Sequence, residues 1–416
     1  MLSASLRGLS DAVKHYRKGT DRTIDPEETI RRATPFFEKI GISRIATLTG
    51  LDRIGIPVVA VCRPNSRSIS VSQGKGVTLH AAIASGVMEA IENYHAERIQ
   101  VPLLYGSYSE LVSHYPLMDV SRLARLSTAG DCVTERRLWI EGRHLLDGGQ
   151  RFVPYEIVST DYRLPLPPGS GAFPMTSNGL ASGNHLLEAI SHGLCELVER
   201  DSSTLWHVSS ASERARSRID LETVEDSVCR HTLLQFAAAD VDVLVFETTS
   251  DVGIPAFRCE IADREGLSFR TAPVVAGYGC HPRAEVALSR AMTEAAQGRL
   301  TLISGSRDDI HQRWYDETRI ALELESFRRA RDSSEPMLAM TTCEERPGYS
   351  LENDVEWELE RLAEMGFDQP VVVDLTNERI GIPVCRVVVP GLEAFNEMPG
   401  FVPGARARTR SRVALS

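Results

Sequence analysis

A chain of 416 residues, 42% hydrophobic and 25% charged, has the makeup of one large globular domain or a few smaller ones, which excludes a disordered polymer. Its 46 basic and 57 acidic residues leave a net charge of −11, which argues against wrapping nucleic acid or lying on an anionic membrane. No run of about 18 apolar residues occurs, and the first residues lack the apolar stretch of a signal peptide; the expectation is a cytoplasmic protein with neither nucleic acid nor membrane as partner.

In chain order, residues 1–39 read as a mostly helical lead-in, with Asp25-Pro26-Glu27-Glu28 as a helix start. Residues 40–395 read as one large α/β domain, a large mixed sheet with helices on one or both faces. Gly55-Ile56-Pro57-Val58 leads into an apolar run, and the phrase returns at Gly253-Ile254-Pro255-Ala256 and Gly381-Ile382-Pro383-Val384. Proline is tolerated at the first residue of a strand, so three related strand entries in one sheet are predicted. Helices are predicted from Ala81 to Glu97, from about His185 to Arg200 and from about Arg283 to Leu300. Residues 100–175 alternate short apolar runs with Pro and Gly, and Leu164-Pro165-Leu166-Pro167-Pro168-Gly169 marks a loop. Charged helical segments near 307–332 and 350–366 read as connections and surface. Residues 396–416, with Pro399, Pro403, Arg406, Arg408, Arg410 and Arg412, read as a flexible tail. The 8 cysteines are scattered without a C-x-x-C pair, as expected for reduced, buried thiols.

No Walker loop, dinucleotide fingerprint, zinc-protease helix or nucleophile elbow occurs. The informative pattern is a second triplet. Ser72-Gln73-Gly74-Lys75-Gly76 precedes a helix with Glu89 and Glu92. Ser177-Asn178-Gly179-Leu180-Ala181-Ser182-Gly183-Asn184 precedes one with Glu188, Glu196 and Glu199. Ala276-Gly277-Tyr278-Gly279 precedes one with Glu285, Glu294 and Gln297. Residues three apart share a helical face, so E-x-x-E, E-x-x-E and E-x-x-Q each present two oxygens side by side. Apolar neighbours such as Leu194, Leu197 and Val198 make these carboxylates expensive to bury unless a cation neutralises them. Mg²⁺ takes carboxylate and phosphate oxygens, glycine-rich loops let backbone amides approach phosphates, and Lys75 can reach a phosphate as a point charge. The combination reads as a nucleoside triphosphate held by Mg²⁺ between acidic helices. Asn184 reads equally as an N-cap, Arg200 as a last-turn partner of the helix dipole, and Gln297 as a positioning amide or a surface one. His80, His95 and His192 have no ligand spacing and read as structural.

These motifs resemble the YcaO family, ATP-dependent enzymes that activate peptide backbone amides. The resemblance runs from about residue 20 to 395, and its most specific block is Glu196-Leu197-Val198-Glu199-Arg200-Asp201 behind Asn178-Gly179-Leu180-Ala181. It implies a YcaO-like ATP-binding fold with ATP and Mg²⁺, and Glu89, Glu92, Glu196 and Glu199 as the magnesium ligands. It further implies Lys75, Asn184 and Arg200 as phosphate or nucleotide contacts, together with Ser72 and Gly74 of the same loop, Glu188, Glu294 and Gln297. Lys18-Gly19-Thr20-Asp21-Arg22, Pro26-Glu27-Glu28-Thr29 and Thr49-Gly50-Leu51-Asp52-Arg53-Ile54-Gly55-Ile56-Pro57 are similar to members that work with a TfuA partner, a pairing associated with thioamide formation. The end of the chain lacks the PxPxP tail common in azoline-forming members. The resemblance therefore implies O-phosphorylation of an amide in a peptide or protein substrate, a TfuA-like partner, an external sulfur donor and a homodimer. Azoline-forming cyclodehydration and a non-catalytic nucleotide-binding adaptor are its rivals.

Overall fold

The phrase Gly-Ile-Pro, met three times in the sequence, builds the same hairpin three times. The computed structural model describes residues 12–264, 273–310, 312–333, 337–340, 348–394 and 400–415. In each copy the glycine takes a left-handed backbone, with φ of 78° at Gly55, 77° at Gly253 and 70° at Gly381, a conformation that costs glycine little. A threonine before each turn accepts a hydrogen bond from the amide that follows the proline. Thr49 Oγ1 takes Val58 N at 3.1 Å, Thr249 Oγ1 takes Ala256 N at 3.1 Å, and Thr376 Oγ1 takes Val384 N at 3.2 Å. The strand entered next is the middle one of three antiparallel strands. Val58–Cys62 lies between Arg44–Thr47 and Val71–Lys75. Ala256–Asp263 lies between Val241–Glu247 and Val275–Cys280. Val384–Val388 lies between Val371–Asp374 and Leu180–Ser182.

The register repeats as well. The residue after each proline faces Lys75, Cys280 or Ser182. The next residue in chain order, Gly76, His281 or Gly183, donates its amide to the proline carbonyl of Pro57, Pro255 or Pro383 at 3.3, 3.1 and 3.1 Å. From those three residues the chain enters the acidic helices Leu79–Ala96, Ala284–Ser304 and Leu186–His207. Glu89, Glu294 and Glu196 stand thirteen positions beyond Gly76, His281 and Gly183, and Glu92, Gln297 and Glu199 sixteen beyond. The fold is thus a threefold repeat of sheet and helix. In one unit the edge strand and helix, 180–207, precede the other two strands, 371–388, in the chain.

The α/β class expected from the sequence holds, as helices packed on antiparallel sheets. The three strand entries lie in separate sheets, not in one. Two have three strands each, and the third belongs to a six-stranded sheet that also holds Leu103–Gly106, Arg137–His144 and Gln150–Pro154. A shared turn fixes a hairpin, but not which other strand its edge will pair with.

The apolar cores run between units: the cluster of the first holds Val373 and Val384 of the second, and the cluster of the second holds Ile254 and Cys280 of the third. Val59, Val61, Val87 and Ile91 fill the first, Leu187, Ile190, Leu194, Val198 and Val387 the second, and Phe257, Cys259, Ala287, Ala291 and Ala295 the third. The helix Leu351–Glu364, expected on the surface, buries Leu351, Val355, Trp357, Leu359 and Leu362 against the second acidic helix. Its face is apolar at helical spacing, and the charges in between hid it.

The lead-in and the tail also differ from expectation. Among the described residues of the lead-in, helix begins at Pro26–Ala33, behind an Asp25 cap; residues 12–25 run in irregular backbone toward the acidic helices. Residues 395–399 lie outside the described residues. Beyond them Ala405–Leu415 is helical, and Arg406 binds the buried Asp201 at 2.9 and 3.0 Å. An arginine-rich segment reads as solvated chain unless its acidic partner, here 205 residues away, is known.

Candidate functional site

Each acidic helix hangs its first carboxylate on its own edge strand. Glu89 accepts the Gln73 amide, Glu196 the Gly179 amide at 3.3 Å, and Glu294 the Tyr278 amide at 3.3 Å. The second residue of two pairs reaches a neighbouring unit. Glu92 accepts Ser182 N–H at 2.9 Å and Ser182 Oγ–H at 2.7 Å. Gln297 donates to the Gln73 carbonyl at 2.7 Å. Lys75 forms an ion pair with Glu294, and Arg200 lies 6.0 Å from the Tyr278 ring centre. Unit one therefore touches units two and three, and unit two touches three, around a common centre.

At that centre the carboxylates are half-buried and raise one another. Burial pushes Glu89 up to about 7 against the pull of Arg307 and Lys75. It pushes Glu92 up to about 8, with Glu89 and Glu196 adding repulsion and Ser182 only partly offsetting it. It pushes Glu199 up to about 7, with Glu294 and Glu196 adding to the rise. Glu196 is raised for the same reason, despite Arg200 and Arg386. Glu294 goes the other way. Burial alone would raise it, but the Lys75 ammonium and Arg200 hold it below the usual carboxylate range. Arg200, although buried, is kept firmly protonated by Glu199, Glu196 and Glu294; it stands 3.7 Å from Glu196 and 3.5 Å from Glu199.

A second set of charges faces this one. Glu188 is buried and accepts Thr23 N–H at 3.1 Å and Thr23 Oγ–H at 2.8 Å, with Arg22 at 3.5 Å. Burial lowers Arg22, and Arg290 beside it lowers it further. His192 is pushed well below its ordinary value by burial and by Arg290, Arg22 and Lys75, so its imidazole is neutral. Arg22 and Arg290 stand close enough to repel, with Glu188, Glu92 and Asp21 pulling the other way on Arg22, and a polyanion would relax that repulsion. On the acidic side, Glu92 has Ser182 as its one donor among the described residues, while Glu89 and Glu196 repel it. Oxygen ligands that hold protons near neutral pH for want of a cation fit a hard divalent ion. Glu89, Glu92, Glu196 and Glu199 are suited to hold Mg²⁺, and Lys75, Arg22, Arg200 and Arg290 to face phosphate.

Several expectations change. Ser72 and Gly74 lie in a strand, not in a phosphate loop, and both are buried. A methyl group on Gly74 would overlap the Ala82 carbonyl and the Gly86 amide, so the glycine lets strand and helix touch. Asn184 is not the N-cap. His185 caps the helix, accepting Leu187 N at 3.2 Å, and Asn184 donates to Thr29 Oγ1 at 3.0 Å, tying the lead-in to the site. Arg200 is mid-helix, because the helix runs on to His207. Arg22, Thr23 and Arg290 were missed as site residues. Arg290 sits one turn before Glu294 on the same helical face, a signal that i, i+4 spacing offered.

A family model described as YcaO cyclodehydratase, ATP- and Mg²⁺-binding, matches residues 73–393. Over 422 aligned positions the chain is 36% identical to an uncharacterized protein in the tfuA 3′ region of Rhizobium leguminosarum bv. trifolii, covering 100% of this chain and 98% of that one. Among solved structures, it resembles YcaO from Methanopyrus kandleri bound with AMPPCP and Mg²⁺, with a TM-score of 0.72, 25% identity, and 94% of this chain and 100% of that chain covered. A heterocyclase in complex with substrate and cofactor gives a TM-score of 0.79 at 23% identity, a likeness of fold; 96% of this chain spans 56% of that longer one. Among the described residues no helix is long and apolar enough to cross a membrane.

Proposed function

The chain belongs to the YcaO family, whose members bind ATP and Mg²⁺, and from that premise we propose that it is an ATP-dependent enzyme that activates a peptide backbone amide and converts it to a thioamide. The observation that carries the reading is the placement of Glu89 and Glu92 from one unit and Glu196 and Glu199 from another at one centre, where burial and mutual repulsion raise all four. The thioamide product is favoured by the 36% identical relative in the tfuA 3′ region, which also supports a TfuA-like partner. The catalytic body corresponds to residues 40–395, with the lead-in supplying Arg22 and Thr23.

An amide carbonyl is a weak electrophile whose oxygen leaves poorly. In the proposed reaction sulfide, or a carrier-bound equivalent, adds to the amide carbon. The former carbonyl oxygen attacks the γ-phosphorus of ATP and displaces ADP. The C–O bond then breaks, oxygen leaves as part of phosphate, sulfur loses its proton, and C=S remains. Bound Mg²⁺ would supply neutralisation of the phosphate charge. The chain's part is placement and charge: Lys75 and Arg200 face the transferring phosphoryl, and Arg22 and Arg290 the remaining phosphates. Glu188, held by Thr23 and Arg22, ties the lead-in to the second acidic helix, where Arg22 would be placed for a phosphate. The cysteines with a resolved shift, Cys195, Cys229, Cys259 and Cys385, are buried thiols raised above their ordinary value. These four are poor sulfur carriers, which supports a sulfur donor outside the chain. A reaction that consumes ATP suits the cytoplasm.

Intact mass analysis of a co-expressed candidate peptide, with and without a TfuA-like protein, tests this. O-to-S exchange adds about 16 Da, while cyclodehydration, the reading favoured by the description of the family model, removes about 18 Da as water. An unchanged peptide mass alongside bound nucleotide would instead support an adaptor.

A further inference from the structure

Past its acidic pair, the first acidic helix ends on Glu97, and four arginines from three segments of the chain meet there. Arg63 Nη2 donates to Glu97 at 2.8 Å and Arg98 Nη1 at 2.5 Å, while Ser68 gives its N–H and Oγ–H to the other oxygen at 3.2 and 2.6 Å. Arg163 donates through Nε and Nη2 to Asp161 at 2.8 and 2.7 Å. Arg67 Nη1 joins the two groups, donating to the Glu97 carbonyl at 3.1 Å and to Asp161 at 3.3 Å. Four guanidinium groups thus share two carboxylates. Asp308 meets the same loop, but at Ser70 and not at an arginine. A local excess of positive charge therefore stands on a chain whose net charge is −11.

Every carboxylate oxygen in this group already accepts, yet donors are left over. Arg67 Nε and Nη2 and Arg163 Nη1 have no protein partner among the described residues. Their side chains reach solvent, 34% and 60% exposed. A guanidinium held in place with N–H groups to spare is a fork for a carboxylate. The backbone holds both arginines in place: Tyr162 N–H donates to the Arg67 carbonyl at 3.1 Å, and Thr160 N–H to the Ala96 carbonyl at 3.2 Å. Apolar surface adjoins the fork. Tyr162 is exposed, and Leu164, next to Arg163, is 85% exposed. A lone exposed leucine needs no explanation, but beside unspent cations it offers a second kind of contact to the same ligand.

We infer that Arg67 and Arg163, backed by Arg63 and Arg98 and flanked by Tyr162 and Leu164, dock an acidic segment of the peptide substrate that also carries apolar side chains. Glu97 stands five positions beyond Glu92, about 7.5 Å along the helix axis, and about three residues of extended chain cover that distance. The acidic segment therefore lies only a few residues from the amide that reacts. Arg290, which faces phosphate, stands on the opposite side of its own helix's acidic residue, one turn before Glu294, so the two basic groups do not compete for one ligand. A nucleic acid would bring many negative charges to a chain that is acidic elsewhere, whereas a short acidic peptide meets only the local excess. The inference rests on the proposed peptide chemistry and adds to it where the peptide is held and which residues it must carry.

The test uses the full chain without nucleotide and a fluorescein-labelled octapeptide of alternating Glu and Leu, with its Gln-for-Glu counterpart as control and anisotropy as readout. The wild type binds the Glu peptide about tenfold tighter than the Gln peptide, and added salt erodes the difference. The double variant Arg67→Gln, Arg163→Gln binds both peptides alike. Leu164→Ser weakens the Glu peptide a few-fold. Arg408→Gln, an equal loss of charge on the exposed side of the C-terminal helix, changes nothing. If the double variant melts early, Arg163→Gln alone, which leaves Arg67 on Asp161, still shows a loss of a few-fold. Equal binding of the two peptides by the wild type overturns the inference. So does an equal loss in Arg408→Gln, or tighter capture of a labelled uridine hexanucleotide than of the Glu peptide. Calorimetric binding of AMPPCP with Mg²⁺ stays unchanged in all variants. Its absence from a wild type that still discriminates the peptides would sink the functional reading and leave the acidic-peptide surface standing.

Discussion

Two acidic clusters lie within this fold, and they are neutralised in opposite ways. Asp21, His281 and Asp354 are buried, and their ligand atoms lie within 4.8 Å of one another, spacing that suits a metal ion. Yet the chain brings its own cation: the Lys14 ammonium is 3.0 Å from Asp21 and 2.5 Å from Asp354, and Arg283 is 3.0 Å from Asp21. His281 is kept neutral by burial and by Arg290, Lys14 and Arg22. That cluster is a lock joining the lead-in to the helices at 284–304 and 351–364. Around Glu89, Glu92, Glu196 and Glu199 the chain supplies too little positive charge, and the carboxylates rise toward neutral pH. Distance alone would favour the lock as the metal site. What the chain provides as counter-charge reverses that choice.

The largest contrast is in activity. Glu92→Gln or Glu199→Gln should lower Mg²⁺-dependent ATP turnover by about a thousandfold or more, the scale of losing charge stabilisation in phosphoryl transfer. Thermal unfolding of the metal-free protein should stay level or rise, since glutamine removes a group that is costly to ionise there. Normal ATP hydrolysis in both variants would break the comparison at its root.

The same kind of change at the lock should do the reverse. Asp354→Asn leaves the buried Lys14 with Asp21, a carboxylate already shared with Arg283, and breaking one of its buried pairs costs up to about 3–5 kcal/mol. Denaturant unfolding should show that loss, while the folded fraction keeps its affinity for AMPPCP with Mg²⁺. A lock variant that loses nucleotide binding but not stability would mean the two roles had been assigned to the wrong clusters.

The metal-free protein should also reveal the missing counter-charge through pH. Glu89, Glu92 and Glu199 hold protons up to about 7, 8 and 7, against an ordinary 4.5 in the unfolded chain. Between those values the folded state binds more protons than the unfolded state, so stability is present below the ordinary value and is lost as pH rises through the folded ones. With chelator present, the melting temperature should fall between pH 5.5 and 8.5. Adding Mg²⁺ and AMPPCP should raise it more at pH 8.5 than at pH 5.5. An equal gain at both pH values would show that these carboxylates are not the ligands.

Much of the centre is legible in the sequence because it depends on helical spacing. Glu89 and Glu92, Glu196 and Glu199, and Glu294 and Gln297 are three apart, and a helix puts such pairs on one face wherever it lies. The glycines are harder. Glycine is uncommon in a strand, so Gly74 makes Ser72–Lys75 look like a loop; the reason for the glycine is Gly86 on a helix whose packing angle no local pattern encodes. Arg22 escapes a sequence reading because its neighbourhood forms only when the lead-in meets Glu188 and Arg290, whereas Arg290 was open to one through its i, i+4 spacing to Glu294. The three hairpins are visible as words, but their assignment to separate sheets depends on edge pairing far along the chain. The tail misleads for the same reason: Arg406 finds Asp201 across 205 residues.

That last contact extends the comparison to a third buried acid and gives the smallest expected effect. Asp201 follows Arg200 in the site helix, is fully buried, and has its cation supplied by Arg406. Arg406→Ala removes that cation but leaves the Glu393 amide, which donates to Asp201 at 2.9 Å. Burial already raises Asp201, so the carboxyl can take up a proton in place of the lost partner. The destabilisation should therefore be about 1–3 kcal/mol, less than at Asp354, where the group left short of counter-charge is a buried lysine that must share Asp21 with Arg283. ATP turnover should fall only a few-fold, through loosened support of Arg200 rather than lost chemistry. Arg406→Lys should restore most of the stability. A collapse of turnover in Arg406→Ala with melting unchanged would mean that the C-terminal helix belongs to the reaction centre and not to its scaffold.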